Sequence, residues 1–430
     1  MKVLWITNQV IAEAAKKINI QNASGTWMEP TLQDMQSYPD VSVAIASVAN
    51  VDTYTHFEAE GSDYYCVPKS AARIYPYKSA LNQRMWRQII YDFQPDLMMI
   101  WGTEYTYGLC AMLAAPEVPA VIIIQGIISA IQRFYMGGLA ESEIRRAYSF
   151  RNFIKHDSLR NMQKWYGRRA LNEAKMLKLS GNIIIENEWA KANCLQINSE
   201  CRYFEYRQRI NKLFFDLSWD LDKCQKHTIF CTAPVNYPLK GLHQTIKALA
   251  IIKKKYHDVK LRVPGMADPF IADWKAKLKQ DGYVKYLMRL IIDLGLRENV
   301  IFLGRLNSAQ IGDELLDANV FVVSSCIENI SISLREAMVV GTPTVASAAG
   351  GIPESIHDGI DGRLYRFEEY AQLAYQIMDF FEDNTKARTM SQNARKSMRN
   401  YLSQQSDTQT LLSIYRSVLN NGINISNTCN

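Results

Sequence analysis

The sequence predicts an α/β protein made of two doubly wound domains, and three features of its pattern support this prediction. Short apolar runs alternate with amphipathic helical patterns in both halves of the chain, an order typical of βαβ units around a parallel sheet. The apolar runs of the C-terminal half are continuous, as expected for strands that helices cover on both faces. A polar segment at 216–226 separates the two series and marks the expected domain boundary.

The N-terminal half contains six apolar runs of strand length and four helical patterns. The predicted strands are residues 3–7, 41–47, 63–67, 97–101, 120–124 and 182–185. The predicted helices are residues 26–36, 79–93, 105–114 and, less regularly, 141–179.

The C-terminal half repeats the alternation more clearly, and a polar helix follows it. Its predicted strands are residues 228–232, 260–263, 300–303, 320–323 and 344–346. Its predicted helices are residues 242–256, 270–294, 309–317, 331–340, 369–381 and 384–419. The expected domains are therefore 1–218 and 226–383, with 384–430 forming a helix that packs back toward the N-terminal domain and a frayed tail.

Composition places the chain among ordinary globular proteins and argues against several other classes. Hydrophobic residues make up 48% and charged residues 21% of the 430 residues, which supports a sizeable core rather than global disorder. A formal net charge of +6 is too small to predict a nucleic-acid partner. The eight cysteines lack C-x-x-C pairs and histidine companions, so we expect no metal site and a reducing, cytoplasmic compartment. The longest apolar run, at 120–131, is too short to span a bilayer.

A basic and aromatic stretch lies between residues 151 and 178. Lys164, Arg168 and Arg169 stand among its eight cations, whereas Asp157 and Glu173 are its two acids. Two interpretations fit this stretch: a solvated helix face, or a surface that contacts anionic lipid headgroups or a phosphorylated acceptor.

The strongest candidate for a functional site is the stretch from Glu328 to Glu336. A buried strand is predicted to end at Val323, and after a polar loop a helix is predicted to begin near Ser331. A helix N-terminus carries unpaired N–H groups and the positive end of the helix dipole, so it favours phosphate. The two glutamates could accept hydrogen bonds from sugar hydroxyls. Taken alone, the pattern also fits an ordinary helix cap beside a surface glutamate.

Two further segments are expected at the same edge of the C-terminal sheet. Gly350 and Gly351 follow the strand predicted at 344–346, in a loop where the backbone can approach a ligand closely. Lys240 and Gly241 precede a helix after the first predicted strand, and a lysine there could neutralise a leaving phosphate. Doubly wound folds bind their ligands at this edge, where parallel strands end.

In combination these motifs resemble the retaining family-four glycosyltransferases of the GT-B fold, in which two Rossmann-like domains face each other across a cleft. The resemblance covers roughly residues 228–366. More loosely, residues 102–105, 125–129 and 237–243 resemble bacterial capsule, lipopolysaccharide and exopolysaccharide glycosyltransferases. The motifs of the main match are the E-x7-E spacing of Glu328 and Glu336, the segment 341–347, the Gly350-Gly351 loop, Lys240-Gly241, and Phe302-Leu303-Gly304-Arg305-Leu306.

The resemblance implies a reaction and its substrates. The donor would be a nucleotide-diphosphate sugar, with a UDP-sugar as the first expectation, and neither a metal nor another cofactor would be required. The acceptor would be a glycan or polyprenyl-linked intermediate of bacterial surface-polysaccharide synthesis. The sugar would be transferred with retention at its anomeric carbon, in the cytoplasm or in peripheral contact with the anionic inner face of the cell membrane.

The resemblance also implies roles for individual residues. Lys240 would bind the donor diphosphate, Glu336 would hold the nucleotide ribose, and Glu328 would contact hydroxyls of the donor sugar. Gln125 would lie near the reacting sugar, where many relatives carry a histidine, and it completes the expected catalytic set with Glu328 and Lys240. The remaining donor contacts are expected from Gly25, Asn236, Gly241, Gly304, Arg305, Leu306, Ile330, Ser331, Ile332 and Ser333.

The sequence departs from the family pattern in two places, and one of them is Asn329-Ile330-Ser331, which stands where relatives usually carry Gly-x-Pro after the first glutamate. Val235 stands where many relatives carry an arginine five residues before the lysine, and Arg305 or Arg133 could supply the missing contact. Two alternatives stay open: a nucleotide-sugar epimerase on the same fold, and a non-catalytic subunit that binds sugar or a partner. A dinucleotide-dependent oxidoreductase is disfavoured because no G-x-G-x-x-G follows the first strand of either half.

Overall fold

The computed structural model describes residues 1–19, 28–69, 80–271, 273–404 and 406–426. The chain forms two compact units, and neither unit is one continuous stretch. Unit 1 contains Met1–Ser129, Gly167–Asn211 and Leu402–Asn430, whereas unit 2 contains Ala130–Tyr166 and Lys212–Tyr401. Ala130–Tyr166, from the N-terminal half of the chain, thus groups with the C-terminal sheet, and Leu402–Asn430 groups with the N-terminal sheet.

Unit 1 is built on an eight-stranded sheet with the order β3-β4-β2-β1-β5-β6-β7-β8. All neighbouring strands are parallel except β3 and β4, which form an antiparallel pair at the edge. The strands are β1 (Lys2–Thr7), β2 (Ser42–Ala49), β3 (Thr55–Ala59), β4 (Ser62–Pro68), β5 (Leu97–Trp101), β6 (Ala120–Ile123), β7 (Asn182–Ile185) and β8 (Arg202–Glu205).

Unit 2 is built on a six-stranded, wholly parallel sheet with the order β11-β10-β9-β12-β13-β14. The order reverses at β9, so the carboxyl ends of β9 and β12 flank the point where doubly wound sheets bind ligands. The strands are β9 (Gln225–Cys231), β10 (Lys260–Val263), β11 (Val300–Phe302), β12 (Ala318–Val323), β13 (Thr344–Ser347) and β14 (Arg363–Tyr365).

Helices connect these strands and cover both sheets. None of the helices in the described ranges is long and apolar enough to cross a membrane. In chain order they are α1 (Ala12–Lys17), α2 (Glu29–Gln36), α3 (Ala80–Phe93), α4 (Tyr107–Ala114), α5 (Ile128–Phe134), α6 (Glu141–Arg146), α7 (Phe150–Lys155), α8 (Leu159–Ser180), α9 (Glu188–Ile197), α10 (Leu213–Asp216), α11 (Leu242–Ile252), α12 (Trp274–Leu278), α13 (Gly282–Asp293), α14 (Ser308–Asp317), α15 (Ile332–Val340), α16 (Tyr370–Glu382), α17 (Asn384–Ser403) and α18 (Thr408–Ser426).

The C-terminal helix α18 closes the core of unit 1. Its Leu411 and Tyr415 are fully buried in the same cluster as Trp5 of β1 and Trp101 of β5. The two tryptophan rings meet edge to face with centroids 5.1 Å apart. The indole N–H of Trp5 donates to the hydroxyl of Tyr415 at 3.2 Å, which satisfies a polar group inside an apolar core.

Three helical segments were predicted as continuous and are interrupted in the structure. The 141–179 region forms α6, α7 and α8, because Ser149 caps the start of α7 and His156 ends it with a φ of 53°. Similarly, Asp281 caps the start of α13 and separates it from α12 within 270–294. The 384–419 region forms α17 and α18, and α18 continues to Ser426.

Candidate functional site

A pocket of about 280 Å³ lies at the carboxyl ends of β9 and β12 in unit 2. Its walls come from the loops after these two strands and from the start of α15. Two adjacent parallel strands whose connections run to opposite sides of the sheet leave such an opening between their loops. The lining residues are Thr232, Ala233, Pro234, Lys240, Val322, Val323, Ser324, Ser325, Glu328, Ile330, Ser331, Ile332 and Ser333.

The N-terminus of α15 forms one wall of this pocket. Ser331 is the N-cap, and its hydroxyl accepts a hydrogen bond from the amide of Leu334 at 3.3 Å. The first amides of a helix have no partner within the helix and point toward its N-terminal side. Because Ile332 and Ser333 line the pocket, their end of the helix supplies amide donors and a positive dipole for an anion.

Lys240 and Glu328 form an ion pair inside the pocket. Ser325 also donates to Glu328, with its Oγ 3.0 Å from Oε2. Burial lowers the pKa of Lys240, but the Glu328 carboxylate raises it, and the net direction is upward. The pocket therefore holds a charged lysine whose charge is balanced by a carboxylate that already has two partners.

Two glycines permit the close backbone approaches that shape this site. Gly241 has a φ of 69°, and a Cβ there would lie 1.8 Å from the carbonyl oxygen of Ser324. Gly350 has a φ of 60°, and a Cβ there would lie 1.9 Å from the carbonyl oxygen of Glu328. The same carbonyl accepts a hydrogen bond from the amide of Gly351 at 2.9 Å. The second glycine loop thus supports the backbone that presents Glu328.

Glu336 lies in the second turn of α15 and does not line the described pocket. Its side chain is only partly exposed, and burial raises its pKa to about 8. Among the residues that the structure describes, its carboxyl group has no hydrogen-bond or ion-pair partner. A half-buried carboxyl group without a partner is costly when ionised, and hydroxyl donors from a ligand would reduce that cost.

The other residues predicted in unit 2 are spread over two places. Asn236 is exposed in the turn before the Pro238–Lys240 helical turn, and its neighbour Val235 is buried. Gly304, Arg305 and Leu306 follow β11 at the sheet edge, two strands away from β9. None of these residues lines the described pocket, so their contacts with a donor stay predictions. Arg133, in α5, lies over the ring of Phe134 at 5.8 Å.

Gln125 lies in unit 1 at the carboxyl end of β6, beside Gly102. A Cβ on Gly102 would meet the carboxylate of Glu104 at 1.9 Å and the amide oxygen of Gln125 at 3.1 Å. The left-handed turn at Gly102, with a φ of 88°, therefore lets both side chains occupy the same corner. Gly25 lies outside the described residues.

Two acids of this corner, the partly buried Glu104 and the buried Glu173, were not predicted as site residues. Burial raises the pKa of Glu104 to about 7, although hydrogen bonds from its own backbone and the charge of Arg169 oppose the shift. Glu173 accepts hydrogen bonds from the amides of Ile128 and Ser129 and from the hydroxyl of Thr103. The one sequence signal for Glu104 as a site residue was its position shortly after a buried strand. Glu173 lies in a long helix, and no local pattern marks it as a site residue.

In the ranges that the structure describes, no group of three or more His, Cys, Asp or Glu side chains could hold a metal ion. The described cysteines are free.

Comparison with known proteins identifies relatives of the C-terminal part. Residues 216–397 match the family described as "Glycosyl transferases group 1". The D-inositol 3-phosphate glycosyltransferase of Streptomyces coelicolor is 29% identical over 34% of this chain and 31% of its own length. The MMP alpha-(1->4)-mannosyltransferase of Mycolicibacterium hassiacum is 26% identical over 45% of this chain and 44% of its own length. The match thus spans less than half of either relative.

Solved structures extend the likeness to nearly the whole chain. Sucrose-phosphate synthase from Thermosynechococcus elongatus superposes with a TM-score of 0.70 over 97% of this chain and 99% of its own, at 14% identity. Anabaena Alr3699/HepE, solved in complex with UDP and glucose, superposes with a TM-score of 0.63 over 98% and 99%, at 19% identity. At such identities the likeness shows the fold, and it confirms the predicted GT-B class with two Rossmann-like domains.

Proposed function

We propose that this protein is a retaining glycosyltransferase that moves a sugar from a nucleotide-diphosphate sugar to a glycan or lipid-linked acceptor. The observation that carries the proposal is the pocket in unit 2, where a helix N-terminus and Lys240 converge on one volume. Both groups suit a diphosphate, and the first donor to consider is a UDP-sugar. Two relatives that match the C-terminal part are named as glycosyltransferases, and one structure of similar fold is described with UDP and glucose.

The ion pair between Lys240 and Glu328 suggests how the pocket accepts its donor. A diphosphate brings negative charge, so its arrival gives Lys240 a second partner and draws the ammonium group toward the phosphate. Glu328 keeps its hydrogen bond from Ser325 and gains the capacity to accept from sugar hydroxyls. The carboxylate thereby replaces its ion pair with hydrogen bonds from the ligand. It therefore keeps hydrogen-bond partners although its site is partly buried.

Glu336 is the proposed ligand of the nucleotide ribose. Its carboxyl group has no partner among the described residues, and its pKa is raised by burial to about 8. Two ribose hydroxyls could donate to it and stabilise the ionised form. The partial burial of this carboxyl group without a partner among the described residues is therefore consistent with a ribose-binding site.

The chemistry we propose needs a stabilised leaving group rather than an enzyme nucleophile. The bond between the anomeric carbon and the diphosphate breaks, and negative charge develops on the leaving nucleoside diphosphate. Lys240 and the α15 amides face that charge and lower the barrier. The acceptor hydroxyl attacks from the same face, so the configuration is retained, and a departing phosphate oxygen takes its proton. Glu328 is engaged with Lys240 and Ser325, which fits a hydrogen-bonding role.

We further propose that the acceptor belongs to bacterial surface-polysaccharide synthesis on the cytoplasmic side of the membrane. Support comes from the N-terminal motifs at 102–105 and 125–129 and from the free cysteines, which suit a reducing compartment.

A screen of donors by thermal shift and by release of nucleoside diphosphate tests the proposal. We expect one class among UDP-, GDP-, ADP- and dTDP-sugars to stabilise the protein, because a ligand that binds only the folded state raises its stability. Glu336→Ala should lose that stabilisation, whereas Glu298→Ala, which changes an exposed glutamate before β11, should keep it. If no nucleotide sugar stabilises the wild type, or if both variants respond alike, the proposed donor site is wrong.

A further inference from the structure

Helix α7 of unit 2 is built with its polar side inward and its apolar side outward. Ser149 and Asn152 are 5% and 2% exposed, whereas Phe150, Phe153 and Ile154 are 63%, 61% and 58% exposed. A helix on the surface of a globular protein normally buries its apolar face. Helix α7 reverses this pattern, so the stability of the fold gives no reason for the apolar side chains to be there.

The inward side is fixed by a dense set of polar contacts with the start of α13. The side-chain oxygen of Asn152 accepts from the amide of Gly282 at 3.0 Å, and its amide group donates to Asp281 at 3.1 Å. Arg151 also pairs with Asp281 at 3.1 Å, and Ser149 donates to the carbonyl of Gln280 at 3.1 Å. These contacts fix the orientation of α7. The exposure of its apolar side chains therefore follows from the way the helix is anchored.

The outward side combines apolar residues with cations. Tyr148, which is 50% exposed, joins Phe150, Phe153 and Ile154, and we call these four residues the apolar tip. Arg146 and Lys155 flank the tip and are exposed, and neither has an acidic ion-pair partner among the described residues. The acid nearest to Lys155 in sequence, Asp157, is engaged by Arg151 at 2.8 Å, and the acid nearest to Arg146, Glu143, is engaged by Lys247 at 3.0 Å.

We propose that the apolar tip inserts into the interfacial region of an anionic phospholipid bilayer, with Arg146 and Lys155 contacting the headgroups. Aromatic side chains beside lysine or arginine are the composition of interfacial membrane contacts. Four projecting side chains are few for a stable protein interface, which uses roughly 20–30 residues on each side. For a bilayer they are enough, because shallow apolar insertion and electrostatic attraction add together.

This assignment changes which residues of the basic 151–178 stretch would meet a membrane. Arg169 is 3% exposed and lies over the ring of Tyr105 at 4.3 Å, so it is unavailable to lipid. Arg151 is engaged by two carboxylates. The lipid-binding surface that we propose therefore centres on α7 and its immediate flanks, where the apolar tip lies, and it does not include Arg151 or Arg169.

Co-sedimentation of the full chain with vesicles tests the proposal. Vesicles of phosphatidylcholine alone are compared with vesicles that contain about one third phosphatidylglycerol. We expect the wild type to bind the anionic vesicles more tightly. The variant Phe150→Ser, Phe153→Ser, Ile154→Ser should weaken that binding by at least about tenfold. Lys155→Glu should weaken it about fivefold or more, with the loss greatest at low salt.

The matched control replaces exposed apolar side chains elsewhere: Tyr375→Ser and Ile360→Ser change residues that are 64% and 60% exposed. The tip variant and this control variant should both keep the thermal midpoint of the wild type, because neither changes a core residue. The control variant should also bind vesicles like the wild type. Failure of the wild type to bind anionic vesicles, or equal binding by the tip variant, would overturn the proposal. So would a concentration-dependent dimer that the tip variant abolishes while vesicle binding is absent. The assay contains no donor or acceptor, so its failure leaves the proposed glycosyl transfer untouched.

Discussion

Replacing Glu336 by glutamine should remove a pH dependence of donor binding that the wild type shows. Burial raises the pKa of Glu336 to about 8 in the unliganded protein, so below that pH most molecules carry the neutral acid. Ribose hydroxyls that donate to this side chain favour the carboxylate. The wild type must therefore lose a proton when it binds donor, and its affinity should rise as the pH rises toward the pKa.

The size of the effect follows from the pKa. At about pH 7 roughly one molecule in ten is ionised at Glu336, and the apparent dissociation constant is the intrinsic one divided by that fraction. The affinity at about pH 7 should then be roughly tenfold below its plateau, and at about pH 6 roughly a hundredfold below it. Glu336→Gln should show weak affinity that hardly changes over this range.

The stability of the wild-type fold should fall as the pH rises, whereas its affinity for donor should rise. The pKa of Glu336 is higher in the folded protein than its ordinary value of 4.5. Its contribution to stability is thus complete below about pH 4.5 and is lost as the pH rises to about 8. Glu336→Gln escapes this loss, so at about pH 8 we expect it to be more stable than the wild type by roughly 1–3 kcal/mol, after solvent screening of a partly exposed group.

Isothermal titration calorimetry with the UDP-sugar or other donor found in the screen gives the affinity from about pH 6 to about pH 8.5, where both phosphates of such a donor stay ionised. Proton uptake by the buffer, measured in two buffers of different ionisation enthalpy, reports the proton released by the protein. An affinity that does not vary with pH in the wild type, or that varies equally in Glu336→Gln, would refute the role of this side chain.

Three other substitutions test separate parts of the account. Lys240→Ala should lower kcat/KM for donor turnover by roughly 10²–10³-fold, because it removes a positive charge from the leaving phosphate; a loss below about threefold in a steady-state assay would exclude that role. Gly350→Ala should reduce both turnover and the thermal midpoint, since its Cβ would lie 1.9 Å from the carbonyl oxygen of Glu328, whereas Gly359→Ala, with a φ of 77° and open space around it, should show backbone strain alone. Equal effects of the two alanines would mean that the Glu328 loop can move freely. Glu104→Gln should flatten the decline of stability that the wild type shows as the pH rises from about 4.5 to about 7, because burial raises the pKa of Glu104 to about 7; parallel stability curves in urea titrations would contradict this.

The sequence predicted the central strands because their residues are apolar without interruption. Leu97–Trp101 and Ala318–Val323 are fully buried on both faces, and such runs leave a clear signal. Two of the edge strands gave no such signal: Thr55–Ala59 alternates between partly and fully exposed side chains, and Arg363–Tyr365 has three residues. The long helical prediction at 141–179 failed because one cap at Ser149 and one left-handed residue at His156 interrupt a pattern that is otherwise helical.

Only part of the candidate site, like only part of the fold, could be predicted from the sequence. Lys240, Glu328 and the start of α15 could be predicted because each lies in a short segment whose own pattern places it at a strand end. The ion pair between Lys240 and Glu328, 88 residues apart, depends on packing between loops, and so does the lack of a partner for Glu336 among the residues that the structure describes. The burial of Val235 and the polar anchoring of α7 also result from tertiary contacts that no local pattern encodes.

The most direct test of the central claim is hydrogen–deuterium exchange of the full chain with and without the donor nucleotide, starting with UDP. The account predicts slower exchange in peptides that cover residues 238–243 and 328–336, because the nucleotide would occupy the described pocket and engage the first amides of α15. Peptides from the outer strand β3 should exchange at the same rate in both states. Saturating nucleotide that leaves the 328–336 amides unchanged, while protecting another part of the chain, would contradict the assignment of this pocket as the donor site.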